Sequence, residues 1–195
     1  EQLRSGDQIK HRYKNQGYRD RVIGAAEELL PRTTDRGAAM AILADHRLRD
    51  CLLARVRAAL LKRRSRIDPS SFIDDKYPEV SVLMSALLYR PREDPDRLLA
   101  EFEALKSGKE GRLSPTGDLV GNNLFGCVNA IYIDARRESI LFSGFTSLTL
   151  IARANIRHLL ELIHRIFKVF KSSEDCELPV VPSAVQAKAV KDASE

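Results

Sequence analysis

Apolar residues recur along this chain mostly at intervals of three and four, and that spacing predicts a succession of amphipathic helices. Residues 18–30, YRDRVIGAAEELL, put Val22, Ala25, Ala26, Leu29 and Leu30 on one face, and Pro31 with the polar Arg32–Asp35 ends that helix. The longest signal spans 36–64. There Leu48, Cys51, Leu52, Val56, Ala59 and Leu60 form one stripe, with Arg47, Arg49, Arg55 and Arg57 opposite. Asp68-Pro69-Ser70-Ser71 reads as a turn. Pro78 suits the first position of a helix over PEVSVLMSALLYR that points Val82, Leu83, Ala86 and Leu87 inward and stops at Pro91. Asp94-Pro95 reads as the N-cap and first residue of the next helix, which buries Leu98, Leu99, Phe102 and Leu105 and ends near Gly108.

Farther on, SGKEGRLSPTG is a loop; its Gly-Lys pair lacks the GxxxxGK[ST] spacing that cradles phosphate. Residues 118–133 carry Leu119, Leu124, Phe125, Val128 and Ile131 at helical spacing, but Gly121 and Gly126 weaken a helix, and a strand over 128–133 also fits. A short apolar element covers 145–152. Asn155 then opens a strong helix to about Lys171, with Ile156, Leu159, Leu160, Ile163, Phe167 and Phe170 expected inside. From Ser172 the chain reads as a linker with a short helix from Ser183, while 1–17 read as a helical arm or frayed end. The expected fold class is mainly α, a helical bundle without internal repeats.

Composition supports this. The chain has 195 residues, 44% hydrophobic, with only 10 Gly and 8 Pro, which is enough for one globular domain with an arm. Cys51, Cys127 and Cys176 are too few and too scattered for a disulfide framework or a zinc site, so Cys51 and Cys127 read as small core residues. No HExxH motif, membrane-length apolar run or signal peptide occurs, so the expected location is cytoplasmic, with no membrane partner. Asp74 and Asp75 lack a third ligand and read as loop surface, so no metal site is expected. Glu27 and Glu28 read as a helix surface paired with Arg19 and Arg21. No nucleophilic triad is present, so no catalytic residue is assigned. The opening Glu1, in place of Met, suggests a piece of something longer.

Charge bears on function in two places. The net charge of +5 concentrates in RVRAALLKRRSR, where Arg55, Arg57, Lys62, Arg63, Arg64 and Arg66 stand without an acid. Such a run can grip a nucleic-acid backbone, or it can be a solvated helix face whose cations suit the negative helix end. It carries no interleaved aromatics for base stacking.

The second place is Arg157. With Asn155 as N-cap it falls near the second helical position, where unpaired N–H groups already carry positive partial charge. A guanidinium beside bare amide donors suits an anion such as phosphate. The alternative is an ordinary surface arginine paired with Glu161, four residues on. The neighbouring His158 reads as a solvated flank residue, with a site role as the other option.

The segment SGFTSLTLIARANIRHLLELIHRIF (143–167) resembles the lid of AAA+ ATPases of the origin-recognition type, in which a Gly-Asn/Asp-x-Arg step opens a helix with the pattern R-x-x-L-x-L. Asn155-Ile156-Arg157 and Leu159–Leu162 match it, with Ala154 where the family has Gly. NNLFGCVNAIY (122–132) is similar to bacterial members of the group, and VPSAVQAKAVKDASE (181–195) to the segment leading toward a winged-helix-like module. The resemblance implies that Arg157 is the "sensor 2" arginine contacting the terminal phosphate of ATP, and Asn155 its helix cap. No Walker A, Walker B or sensor 1 motif is recognisable, so the resemblance implies an ATPase core and magnesium ligands outside this chain. It divides the chain into an N-terminal arm and basic helix (1–66), a helical lid-like region (67–171) and a linker or the start of a following module (172–195). The implied partners are that ATPase core, DNA, and a further protein or oligomer. A rival reading is a non-enzymatic helical interaction domain that binds DNA through 55–66.

Overall fold

A computed structural model describes residues 16–109, 111–153 and 155–194; the arm expected over 1–17 lies, up to residue 15, outside the described residues. The described helices are α1 (Gln16–Leu29), α2 (Asp35–Ala44), α3 (His46–Lys62), α4 (Pro78–Leu87), α5 (Pro95–Lys106), α6 (Asp118–Asp134), α7 (Phe145–Ile151), α8 (Ile156–Lys171) and α9 (Ser183–Ser194). Short 3₁₀ turns occupy Pro69–Phe72 and Ile140–Phe142, and no strand occurs among the described residues. The fold is mainly α, as the spacing predicts. The chain divides into two compact units: one is Thr34–Leu141, and the other joins the residues up to Thr33 to those from Phe142 onward.

The unit Thr34–Leu141 is built around α4, which packs against α2, α3 and α6. One face of α4 was expected inside, but nearly all of it is buried, including Pro78, Val80, Met84 and the polar Glu79, Ser81 and Ser85. A helix apolar on all sides belongs in the centre of a bundle. Its polar groups are satisfied there. The Ser85 hydroxyl donates to the Val82 carbonyl at 2.7 Å, and Arg36 Nη1 reaches both Glu79 oxygens at 3.0 and 3.1 Å. Loss of Arg36 would leave the buried Glu79 carboxylate without its counter-charge.

The single helix expected over 36–64 is two. Asp45 ends α2 and caps α3, its Oδ1 accepting the Arg47 and Leu48 N–H groups at 3.0 and 3.1 Å. A short carboxylate offers the backbone this alternative to a continued helix, and Arg137 pairs with the other oxygen. The strand option over 128–133 gives way to α6, which buries Val120, Leu124, Cys127, Val128 and Ile131. Gly121 and Gly126 face open space, so each weakens helix propensity without disturbing packing. Phe125 lies on the exposed side. Helices α3 and α6 both close in Schellman turns, with Arg64 and Arg136 held at φ 55° where glycine is usual.

In the other unit, a small core of Leu30, Leu148, Ile166, Val181, Val185 and Ala189 joins the end of α1 to α7, α8 and α9. On α8, Leu162 and Ile166 are buried and Leu159, Ile163, Phe167 and Phe170 lean on that core. Ile156 and Leu160, both expected inside, are 66% and 59% exposed because they flank the stripe that meets α9. Val22 and Leu29 of α1 are exposed too. Glu27 was expected to pair along α1. Its Oε1 instead accepts the Thr146 N–H at 2.7 Å and so caps α7, whose own N-cap Gly144 has no side chain.

Gly144 sits at φ 98°, and a Cβ there would lie 2.6 Å from Arg32 Cβ and 2.8 Å from Arg32 Cα. Gly144→Ala is therefore expected to destabilise the protein by about 3 kcal/mol, read from urea unfolding, combining backbone strain with a backbone clash. A second expectation concerns acid. The Arg137 guanidinium, then the Leu48 N–H, hold the Asp45 carboxyl below the usual carboxylate range. As pH falls the unfolded chain takes up this proton first, so Asp45 stabilises the fold above about pH 4 and that contribution is lost as pH drops through its lowered folded value. Asp45→Asn keeps the cap and should flatten the acid limb of a plot of unfolding midpoint against pH; an unchanged limb would refute the assignment.

Candidate functional site at the head of helix α8

The head of α8 is set by its own sequence. Asn155 stands in extended geometry (φ −82°, ψ 107°), and its side-chain oxygen accepts from the N–H groups of Arg157 and His158 at 3.0 and 3.4 Å. A cap of this kind stabilises a helix by about 1 kcal/mol. The preceding turn is closed by Arg153, held at φ 50°, whose N–H donates to the Leu150 carbonyl at 3.0 Å. The Asn155 N–H returns to the Ala152 carbonyl at 2.9 Å, which fixes the step from α7 into α8. Ala154, the position where the lid pattern has Gly, lies outside the described residues.

Arg157 occupies the first turn of α8, where no acidic residue stands, and its side chain is exposed. The Glu161 partner offered by the sequence is engaged elsewhere. Glu161 Oε1 accepts from Arg165 Nη2 at 3.0 Å, and Arg165 Nη1 reaches the Asp192 carbonyl at 3.2 Å. Among the described residues neither Arg157 nor Arg153 forms an ion pair. His158 is likewise exposed. Around this head lie the exposed apolar side chains Leu150, Ile151, Ile156 and Leu160, with Leu150 at 74%. Sequence spacing did not identify Arg153 as part of this corner, because nothing in the chain marks a non-glycine residue for a left-handed turn.

A cleft of about 920 Å³ opens in the same unit between α8 and α9, lined by residues such as His164, Lys168, Val185 and Lys188. Arg157 is not part of its lining, so the cleft and the cationic helix head are separate features. The residues present at the head fit one contact to an anion, a guanidinium beside a helix N-terminus. They form no cradle for a whole nucleotide.

The basic segment of the other unit is only partly free. Arg55 pairs with Asp134 at 2.6 Å, and Arg63 donates to the carbonyls of Arg90 and Pro91. Arg57, Lys62, Arg64 and Arg66 are exposed. Asp75 pairs with Arg49 and Asp74 with Lys106. Cys51 is half-buried, and burial pushes the Cys127 thiol up, away from the reactive thiolate. Among the described residues no group of three metal-ligating side chains forms, and no helix is long and apolar enough to cross a membrane.

A family model described as ORC-CDC6-like matches residues 43–195 of the chain. No curated protein and no solved structure matches it.

The position of Arg157 carries a measurable consequence for stability. An unpaired cation at a helix N-terminus opposes the helix dipole, and alanine is the better helix former. Arg157→Ala is expected to stabilise the chain by about 0.5 kcal/mol in urea unfolding. A loss of stability instead would mean that this side chain supports the fold.

Proposed function

The chain belongs to the ORC-CDC6-like family, and from that premise we propose that α7 and α8 act as the lid of an origin-recognition-type AAA+ ATPase. In this reading Arg157 contacts the terminal phosphate of ATP. The observation that carries it is a guanidinium at the Asn155-capped head of α8 that has no acidic partner among the described residues, while Glu161 serves Arg165. The exposed Leu150, Ile151, Ile156 and Leu160 beside it fit a surface that an ATPase core covers. That core would supply the phosphate-cradling loop and the magnesium ligands, since the chain has no GxxxxGK[ST] motif.

The proposed consequence is electrostatic. Loss of the terminal phosphate removes the anion that holds Arg157, and a lid held by that contact is released to move whatever it packs against. The test uses the protein with its ATPase core. Arg157→Ala should weaken ATP binding about ten-fold or more and leave ADP binding nearly unchanged, because ADP lacks the group that Arg157 reads. Arg157→Lys keeps the charge without the guanidinium fork and should restore part of the loss. ATP affinity and turnover both untouched by Arg157→Ala would remove the reading.

A further inference from the structure

We propose that the unit Thr34–Leu141 carries a binding surface for single-stranded nucleic acid at the C-terminal end of α3. Arg157 belongs to the other unit, and the inference stands independently of the nucleotide-sensing reading.

Along the sequence, the basic run 55–66 has no aromatic residue to accompany its cations. The fold supplies one from elsewhere. Arg63 donates to the Arg90 carbonyl and, at 3.2 Å, to the Pro91 carbonyl, which fastens the segment after α4 to the end of α3. Tyr89, 39% exposed, and the exposed Arg92 flank the two carbonyls that Arg63 holds, and the exposed Lys62 and Arg64 flank Arg63 itself, with the exposed Arg66 two residues on. Arg90 is itself held, its Nη2 donating to Asn123 Oδ1 at 2.6 Å.

Nearby acids do little to neutralise these cations. Both Glu93 oxygens are held by Arg112, at 2.8 and 2.7 Å. Asp94 is turned into the first turn of α5, where its Oδ2 accepts the Arg97 backbone N–H at 3.0 Å. Asp68 feels the charge of Arg57 and offsets part of it. Arg57, Lys62, Arg64, Arg66 and Arg92, discounted for Asp68, leave the equivalent of about four phosphate contacts.

The identity of the strand follows from what stands between the cations. The exposed positions of α3 interleaved with them are Ala54, Ala58 and Leu61, none of which can hydrogen-bond a base edge in a duplex groove. Tyr89 offers a ring face, which is useful against an unpaired base and not against a stacked pair. Backbone cations with an aromatic platform and no edge-reading amide are the chemistry of sequence-tolerant single-strand binding.

The test is fluorescence anisotropy of the full chain with a labelled oligothymidylate of about 20 nucleotides and with a duplex of equal length. The oligothymidylate should bind more tightly than the duplex, and its affinity should fall about 50-fold between about 50 and 200 mM salt, a log–log slope of about −3. The combined variant Arg57→Gln, Lys62→Gln, Arg64→Gln, Arg66→Gln should flatten that slope and lose at least about ten-fold in affinity at low salt. Tyr89→Leu keeps an apolar side chain and should lose about ten-fold while leaving the slope unchanged, a readout that lost charge does not produce. Arg157→Ala should bind the oligonucleotide like the parent chain, which separates this outcome from that of the nucleotide test. Absent binding at low salt, equal or tighter duplex binding, or unaltered affinity in both variants would each overturn the proposal.

Discussion

One buried carboxamide organises the unit that carries Arg157. Gln186 is fully inaccessible to solvent; its Oε1 accepts the Gly144 N–H at 2.8 Å, and its Nε2 donates to the Val181 and Pro31 carbonyls at 2.9 and 3.3 Å. It thereby ties together three segments that are remote in sequence: the exit from α1, the start of α7 and the start of α9. The Thr33 hydroxyl lies beside it, donating to Ser183 at 2.7 Å and standing 3.2 Å from Ser143 Oγ. The apolar core here is small, and apolar contact alone does not fix register. A buried polar group with nearly all its hydrogen bonds made does, because every other arrangement leaves one unsatisfied. Gly144 makes the close approach to Arg32 possible, and α7 starts from that point. The head of α8 inherits its position through the turn at Arg153.

What could be read in the chain beforehand follows the range of the interaction responsible. The Asp94-Pro95 start and the Asn155 cap are decided within three residues, and both stand where the spacing places them. The stripe Leu48, Leu52, Val56, Ala59 and Leu60 is likewise a local pattern and is buried. The break at Asp45 looks polar and unremarkable in sequence, because it depends on a carboxylate choosing two N–H groups over a continued helix. The burial of Glu79 depends on Arg36, forty-three residues distant. The expectation that Ile156 and Leu160 lie inside failed because periodicity reports how wide an apolar face is, not how much of it a neighbouring helix covers.

Of the two candidate sites, only the helix head was legible nearly complete. Asn155 and Arg157 lie within one turn of chain, so their relation is set by helix geometry. The basic segment was legible as charge but not as surface. Arg55 and Arg63 are taken by an aspartate and by two carbonyls far along the chain, which the sequence cannot foretell. The same Arg63 bonds hold the segment in which Tyr89 precedes Arg90, an exposed aromatic that the linear pattern of 55–66 lacked.

A comparison among the helices shows why Arg157 is unlike the other arginines of this chain. Cations are expected at helix C-terminal ends, and Arg64, Arg136 and Arg153 close α3, α6 and α7 there, accepting a left-handed backbone to do so. Where an arginine stands in the first turn of α2, α3 or α5, by contrast, a carboxylate stands with it. Arg36 of α2 has Asp35 beside it and Glu79 against it. Arg47 of α3 follows the anionic cap Asp45, and Arg97 of α5 has Asp94, Asp96 and Glu101. At the head of α8 the cap is a neutral amide and the first turn holds no acid. The electrostatic cost that the chain cancels at three other helix starts is left uncancelled at this one. Arg157 therefore carries a positive charge whose counter-ion the described residues do not provide, and an anion is what would balance it there.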